Sequence, residues 1–226
     1  GSDEYGFSEA LFLAEKNVYY PSREEIETLE TYVDDCLFKH IQDPETYDVR
    51  ASLYWKERAL SSPWSHWSEE RSRSLVRSYN YPHPANIYHA LYQIGRRYGL
   101  VTHRTPEDYL WMAYRTALKT LQVGNWHQVG LMTNANSINI LNDLQREGYD
   151  EAYETLRAQM AACHHMFTLK AYPYGSELYV DETAHEQVFF YTRYFGNEAK
   201  KLKTLQVLEA LRGGNQPAWF WFGNDK

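Results

Sequence analysis

The segment AYPYGSELYVDETAHEQVFFYTRYFG, Ala171 to Gly196, holds a cluster of groups that could move a proton. Asp181 and Glu182 are adjacent where an aromatic stretch gives way to a helical pattern, and His185 and Glu186 follow one turn further in. On a helix, Glu182, His185 and Glu186 share one face at i, i+3 and i+4. Paired carboxyls suit acid/base cleavage of a glycosidic bond, one held protonated as the acid and the other serving as base or nucleophile. Asp181, by like-charge proximity, would raise the pKa of Glu182, so Glu182 is the expected general acid and Asp181 its partner. Glu186 completes the set of candidate catalytic acids. The same residues also satisfy a helix start, since Thr183 and Glu186 have capping-box spacing and acids favour the positive end of a helix. Capping alone gives no reason for Tyr172, Tyr174, Tyr179 and a Gly175 hinge just before the acids.

A metal fits poorly. Glu-x-x-His occurs once where a di-iron site needs it twice, HExxH is absent, and His164-His165 lacks companion ligand spacing. No cofactor is expected either, because the chain has no phosphate-cradling glycine loop, no Gly-x-Ser-x-Gly and no Cys-x-x-Cys.

Other residues could hold a substrate. SSPWSHWSEE sets Trp64 and Trp67 around His66 in a non-helical stretch; indole faces stack on the C–H face of a sugar, and equally could pin a long loop. In SYNYPHPANIYHALYQIGRRYG, Pro82 and Pro84 stiffen a loop that presents Tyr81 and His83, while Tyr88 and Tyr92 lie beside the apolar stripe of Ile87, Leu91 and Ile94 and read as core. Asn134, Asn136, Asn139 and Asn142 imply either a capped break near Thr133 or a polar cleft lining. Tyr174, His185 and Trp219 complete the expected substrate contacts. A second chemistry can be drawn on Tyr81 and His83, that of a polysaccharide lyase with a Tyr or His base, although no Arg cluster stands beside Tyr81 to neutralise a uronate. A third reading is a non-catalytic glycan-binding or scaffold module.

The elements that must position these groups are helical. Ser22 to Ile41 opens with capping-box spacing, and further helices are predicted over 84–98, 106–121, 126–146, 149–170, 183–195 and 198–211, most with proline near the start or glycine past the end. Short turns pair 106–121 with 126–146, and 183–195 with 198–212, as antiparallel hairpins. Residues 43–81 form a long irregular connection. The fold class is therefore all-α, one helical domain over 1–226, with Gly1-Ser2 read as a tag remnant.

Composition narrows the partners. A formal charge of -7 with no basic stripe argues against nucleic acid. No apolar run approaches the roughly 20 residues that span a bilayer. Cys36 and Cys163, both inside helical patterns with apolar neighbours, are expected to be buried free thiols. The run Trp219 to Phe222 would leave four rings in water, so the chain is expected to be a piece of a larger protein, whose remaining domains would be partners.

YNYPHPANIYHALYQIGR and YVDETAHEQ resemble segments of large bacterial glycoside hydrolases of the six-hairpin, or (α/α)6-toroid, type. The resemblance runs over most of the chain. It implies a complete or partial toroid of helical hairpins, a carbohydrate substrate held by loops 43–81, 171–182 and 214–226, and a secreted, periplasmic or cell-surface location. A full toroid has six hairpins against about four here, so a second catalytic acid or a β-sandwich partner domain is expected beyond this chain.

Overall fold

Among the residues that the computed structural model describes, 7–54, 68–123, 130–174 and 184–211, regular structure is helical and no strand forms. Two isolated backbone bridges, Phe38 with Gln42 and Gln42 with Val49, are the nearest approach to a sheet. The chain divides into two units, Gly1–Gly124 and Asn125–Lys226.

The first unit begins with α1, Phe7–Tyr19, a helix that no proline opens and no glycine closes, which is why punctuation did not announce it. Next comes α2, Arg23–Tyr32, shorter than the predicted 22–41. The backbone there widens into a π turn over Val33–Leu37, with the Phe38 N–H donating to Val33 O at 2.8 Å. One extra residue in the turn keeps Val33 and Leu37 buried and swings Cys36 out, so the expectation of two buried thiols holds for Cys163 only. Ser22 makes no side-chain cap, and the other half of the box is lost because the Ser22 N–H donates to Asn17 Oδ1 (2.7 Å) while the Glu25 carboxylate accepts from Lys16 Nζ (2.6 Å) and Asn17 Nδ2 (2.8 Å).

After a single helical turn, α3 (Glu69–Ser72), comes α4, Pro82–Tyr98, the most deeply buried helix of the unit. It starts two residues before the predicted 84. Proline at the first helical position loses nothing, since that N–H would have no helical acceptor. Gly99 ends α4 in the left-handed conformation, φ 64°. α4 packs against α1 and against α5, Pro106–Thr120, which Thr105 and Asp108 open with a reciprocal capping box. A buried carboxylate ties α2 to the loop before α5. Glu30, fully buried, accepts from the Thr102 N–H (2.9 and 3.0 Å), Thr102 Oγ1 (3.0 Å), the His103 N–H (3.0 Å) and the Tyr109 hydroxyl (2.8 Å).

The second unit comprises α6 (Ser137–Arg146), α7 (Asp150–Leu169), α8 (His185–Tyr194) and α9 (Glu198–Leu211), with each packed on the next. Of the predicted helix 126–146, residues 126–129 lie outside the described residues, and the described part is α-helical only from Ser137. Thr133 is left-handed, φ 61°, and a 3-10 turn at Asn134–Asn136 leads into α6. The break near Thr133 that the asparagines implied is therefore present; the hairpin turn expected between 121 and 126 lies partly outside the described residues. No described helix is long and apolar enough to cross a membrane.

Candidate functional site

Four of the expected site residues, Asn134, Tyr174, His185 and Glu186, come together in the second unit, where the 130–136 loop meets the first turn of α8 and the 170–174 segment. Gly130 makes that meeting possible. A Cβ there would stand 2.2 Å from Ala184 O, so only glycine allows the backbones to approach this closely. The Gly130 N–H donates to Pro173 O (3.1 Å), and the Leu131 N–H donates to Gln187 Oε1 (2.6 Å). The left-handed turn at Thr133 then aims its N–H at Glu186 Oε2, 3.2 Å away. Ser137 Oγ gives its proton to Asn134 O at 2.6 Å and so accepts from the Tyr191 hydroxyl at 2.7 Å. Gly130→Ala is expected to lower the stability of this unit by about 1–3 kcal/mol, the usual cost of forcing atoms into a packed site. Urea unfolding measures it, and an unchanged midpoint would contradict the close approach.

Glu186 keeps a flank in solvent, yet the protein packed around its carboxyl raises its pKa above the ordinary carboxylate value, an effect that the Thr133 N–H partly offsets. It sits one residue past His185, whose ring lies flat against Tyr174 at 4.4 Å and an interplanar angle of 1°. Both rings are fully buried. Thr204 Oγ1 donates to Lys200 O (2.9 Å), which leaves Tyr174 as the donor of the 2.9 Å bond between the two hydroxyls. Lys200 Nζ holds Lys170 O at 2.6 Å and stands 5.7 Å from the Tyr174 ring. The half-exposed ring of Tyr172 meets Tyr174 edge-on at 5.1 Å. Tyr174 and His185 are therefore packed on each other inside the unit rather than presenting faces of their own. Asn134 is nearly fully buried, and its Nδ2 has no hydrogen-bond partner.

Tyr81 and His83 lie elsewhere, in the core of the first unit, and belong to the start of α4 rather than to a loop. Tyr81 donates to Leu75 O at 2.9 Å, and burial pushes its pKa up. His83 stacks on Phe7 at 5.9 Å, pairs Nδ1 with Tyr79 O at 3.2 Å, and is held below its ordinary pKa of 6.5 by burial. A histidine so depressed stays neutral in the fold while the unfolded chain takes up its proton. The stability linked to it is complete above about 6.5 and declines as pH falls toward the depressed value. His83→Phe is expected to flatten that decline, read as the urea midpoint at about pH 7 against about pH 5.

Trp64, Trp67, Asp181, Glu182 and Trp219 lie outside the described residues, as does Thr183 of the expected capping box. Gln187, Lys200 and Thr204, which fix the loops around α8, carried no sequence signal: each is an ordinary residue on a helix. Thr133 was legible only through the asparagines that follow it. Among the described residues, no group of three His, Cys, Asp or Glu side chains could hold a metal ion.

One family profile, described as a family of unknown function (DUF5695), matches residues 1–226. No curated protein and no solved structure matches the chain.

Proposed function

The chain belongs to the DUF5695 family, and we propose that it carries a carboxylate site that hydrolyses glycosidic bonds, within a region built as a complete or partial (α/α) toroid. The observation that supports this reading is the carboxyl of Glu186 on the first turn of α8, held above its ordinary pKa by the protein around it while it accepts the Thr133 N–H. A glycosidase acid needs a pKa raised in this direction. The acid role expected for Glu182 is thus best supported at Glu186, with Asp181 and Glu182 proposed as the second carboxylate. The substrate is a polysaccharide or oligosaccharide, met outside the cytoplasm or at the cell surface. The lyase reading draws no support from Tyr81, whose hydroxyl is spent on Leu75 O.

The test is a panel of neutral and uronate polysaccharides incubated with the chain. New reducing ends without ultraviolet absorbance from an unsaturated uronide are expected. An unsaturated product, or no cleavage of any polymer, overturns the reading.

A further inference from the structure

The first unit holds an open cleft of about 310 Å³ whose lining includes Lys39, His40, Gln42, Asp43, Asp48 and Arg50. We propose that it is a second binding site, for a neutral, hydroxyl-rich ligand of one or two sugar units.

The cleft is built rather than incidental. Gln42 anchors its base inside the core: its Nε2 donates to Tyr47 O (3.2 Å) and Thr116 Oγ1 (3.0 Å), and its Oε1 accepts from the Tyr88 hydroxyl at 2.7 Å. Asp43 Oδ1 folds the rim by accepting the N–H groups of Glu45 (2.9 Å) and Thr46 (2.8 Å). Lys39 and Tyr47, at φ 74° and 62°, hold left-handed backbone that non-glycine residues rarely adopt, and they bracket this turn. Strained backbone of this kind persists where the surroundings over-determine it, and it concentrates at ligand sites.

The chemistry of the rim selects the ligand. Asp43 Oδ1 takes the backbone N–H groups of the turn and Asp48 Oδ1 takes Lys119 Nζ at 2.9 Å, and a carboxylate has more acceptor sites than these bonds use. Lys39 and His40 are exposed, and their side chains have no hydrogen bond or ion pair among the described residues. The rim thus offers donors and acceptors together. An anion would find two cationic donors but face two carboxylates, and a cation would face Lys39 and Arg50. A hydroxyl group uses both kinds of partner at once. Pro44 and the half-exposed Leu75 supply an apolar flank for the C–H face of a ring. The volume is at the small end for ligand pockets, which suits one or two pyranose rings.

The inference stands on this cleft and not on the hydrolytic reading, and its test separates the two. Isotope-labelled Glu186→Gln chain, chosen so that nothing is cleaved, is titrated with maltose, cellobiose, xylobiose and mannobiose to about 50 mM, where even a Kd of about 10 mM registers. Amide shifts at 39–50 and 75 are expected for at least one sugar, whether or not residues of the α8 site also shift. Lys39→Gly with His40→Ala, which suits the left-handed backbone at 39, is expected to weaken that binding at least about tenfold. No shift with any sugar, equal binding by the double variant, or stronger shifts with galacturonate or inorganic phosphate would overturn the proposal.

Discussion

Glu186→Gln is expected to lower glycan hydrolysis by about 10²–10⁴-fold while leaving the fold intact, the range over which a positioned general acid acts. The substitution isolates the proton. A glutamine can still accept the Thr133 N–H that Glu186 Oε2 accepts at 3.2 Å, so the tie between the 130–136 loop and α8 survives. If Glu186 served only that tie, the variant would retain its activity. Stability should respond in the opposite direction from activity. Because burial raises the pKa, folding favours the protonated carboxyl; that contribution is present below the ordinary carboxylate pKa and is lost as pH rises through the raised one. At neutral pH the neutral glutamine should therefore unfold at the same urea concentration as the parent or a higher one. The same proton sets the rate, so hydrolysis by the parent should fall as pH climbs through the raised pKa. A variant that hydrolyses at the parent's rate would remove Glu186 from the mechanism.

Glu30→Ala is expected to destabilise the first unit by about 3–5 kcal/mol, the scale for deleting one partner of a buried, charge-assisted network. Two backbone N–H groups, a threonine hydroxyl and the Tyr109 hydroxyl all point at this one carboxylate. Alanine leaves those donors buried without an acceptor and opens a void where α2 meets the start of α5. Glu30→Gln should cost less, because an amide oxygen still accepts but its NH₂ faces other donors. Equilibrium urea unfolding followed through a tyrosine or amide probe of the first unit measures both. A loss under about 1 kcal/mol for Glu30→Ala would mean that water replaces the carboxylate and that the network is not buried as described.

The helices were legible where punctuation and periodicity agree. Pro106 with its capping box and Gly99 after α4 mark ends that backbone geometry enforces in any context. The failures share a cause, since each involves a partner distant in sequence. Ser22 lost its box when Lys16 and Asn17 captured Glu25, and the π turn after α2 shifted the register of Cys36. Pro82 and Pro84 looked like loop residues because proline at the start of a helix and proline in a rigid loop read alike. Tyr81 and His83 followed them into the wrong setting and lie in the core. Within the candidate site, the acids and aromatics were visible as residue types, whereas the Gly130 approach and the Gln187 bond depend on two segments more than fifty positions apart in the chain.

The central claim is that a glycosidic bond is broken by water under carboxylate catalysis, and cleavage in heavy-oxygen water tests it most directly. Mass spectra of the products from the best substrate on the panel should show one heavy oxygen at each new reducing end, with no loss of water from the other fragment. The Glu186→Gln chain should give neither product on the same timescale. Fragments that carry an unsaturated sugar and no heavy oxygen, or polymers that emerge uncut from every incubation, would contradict the account.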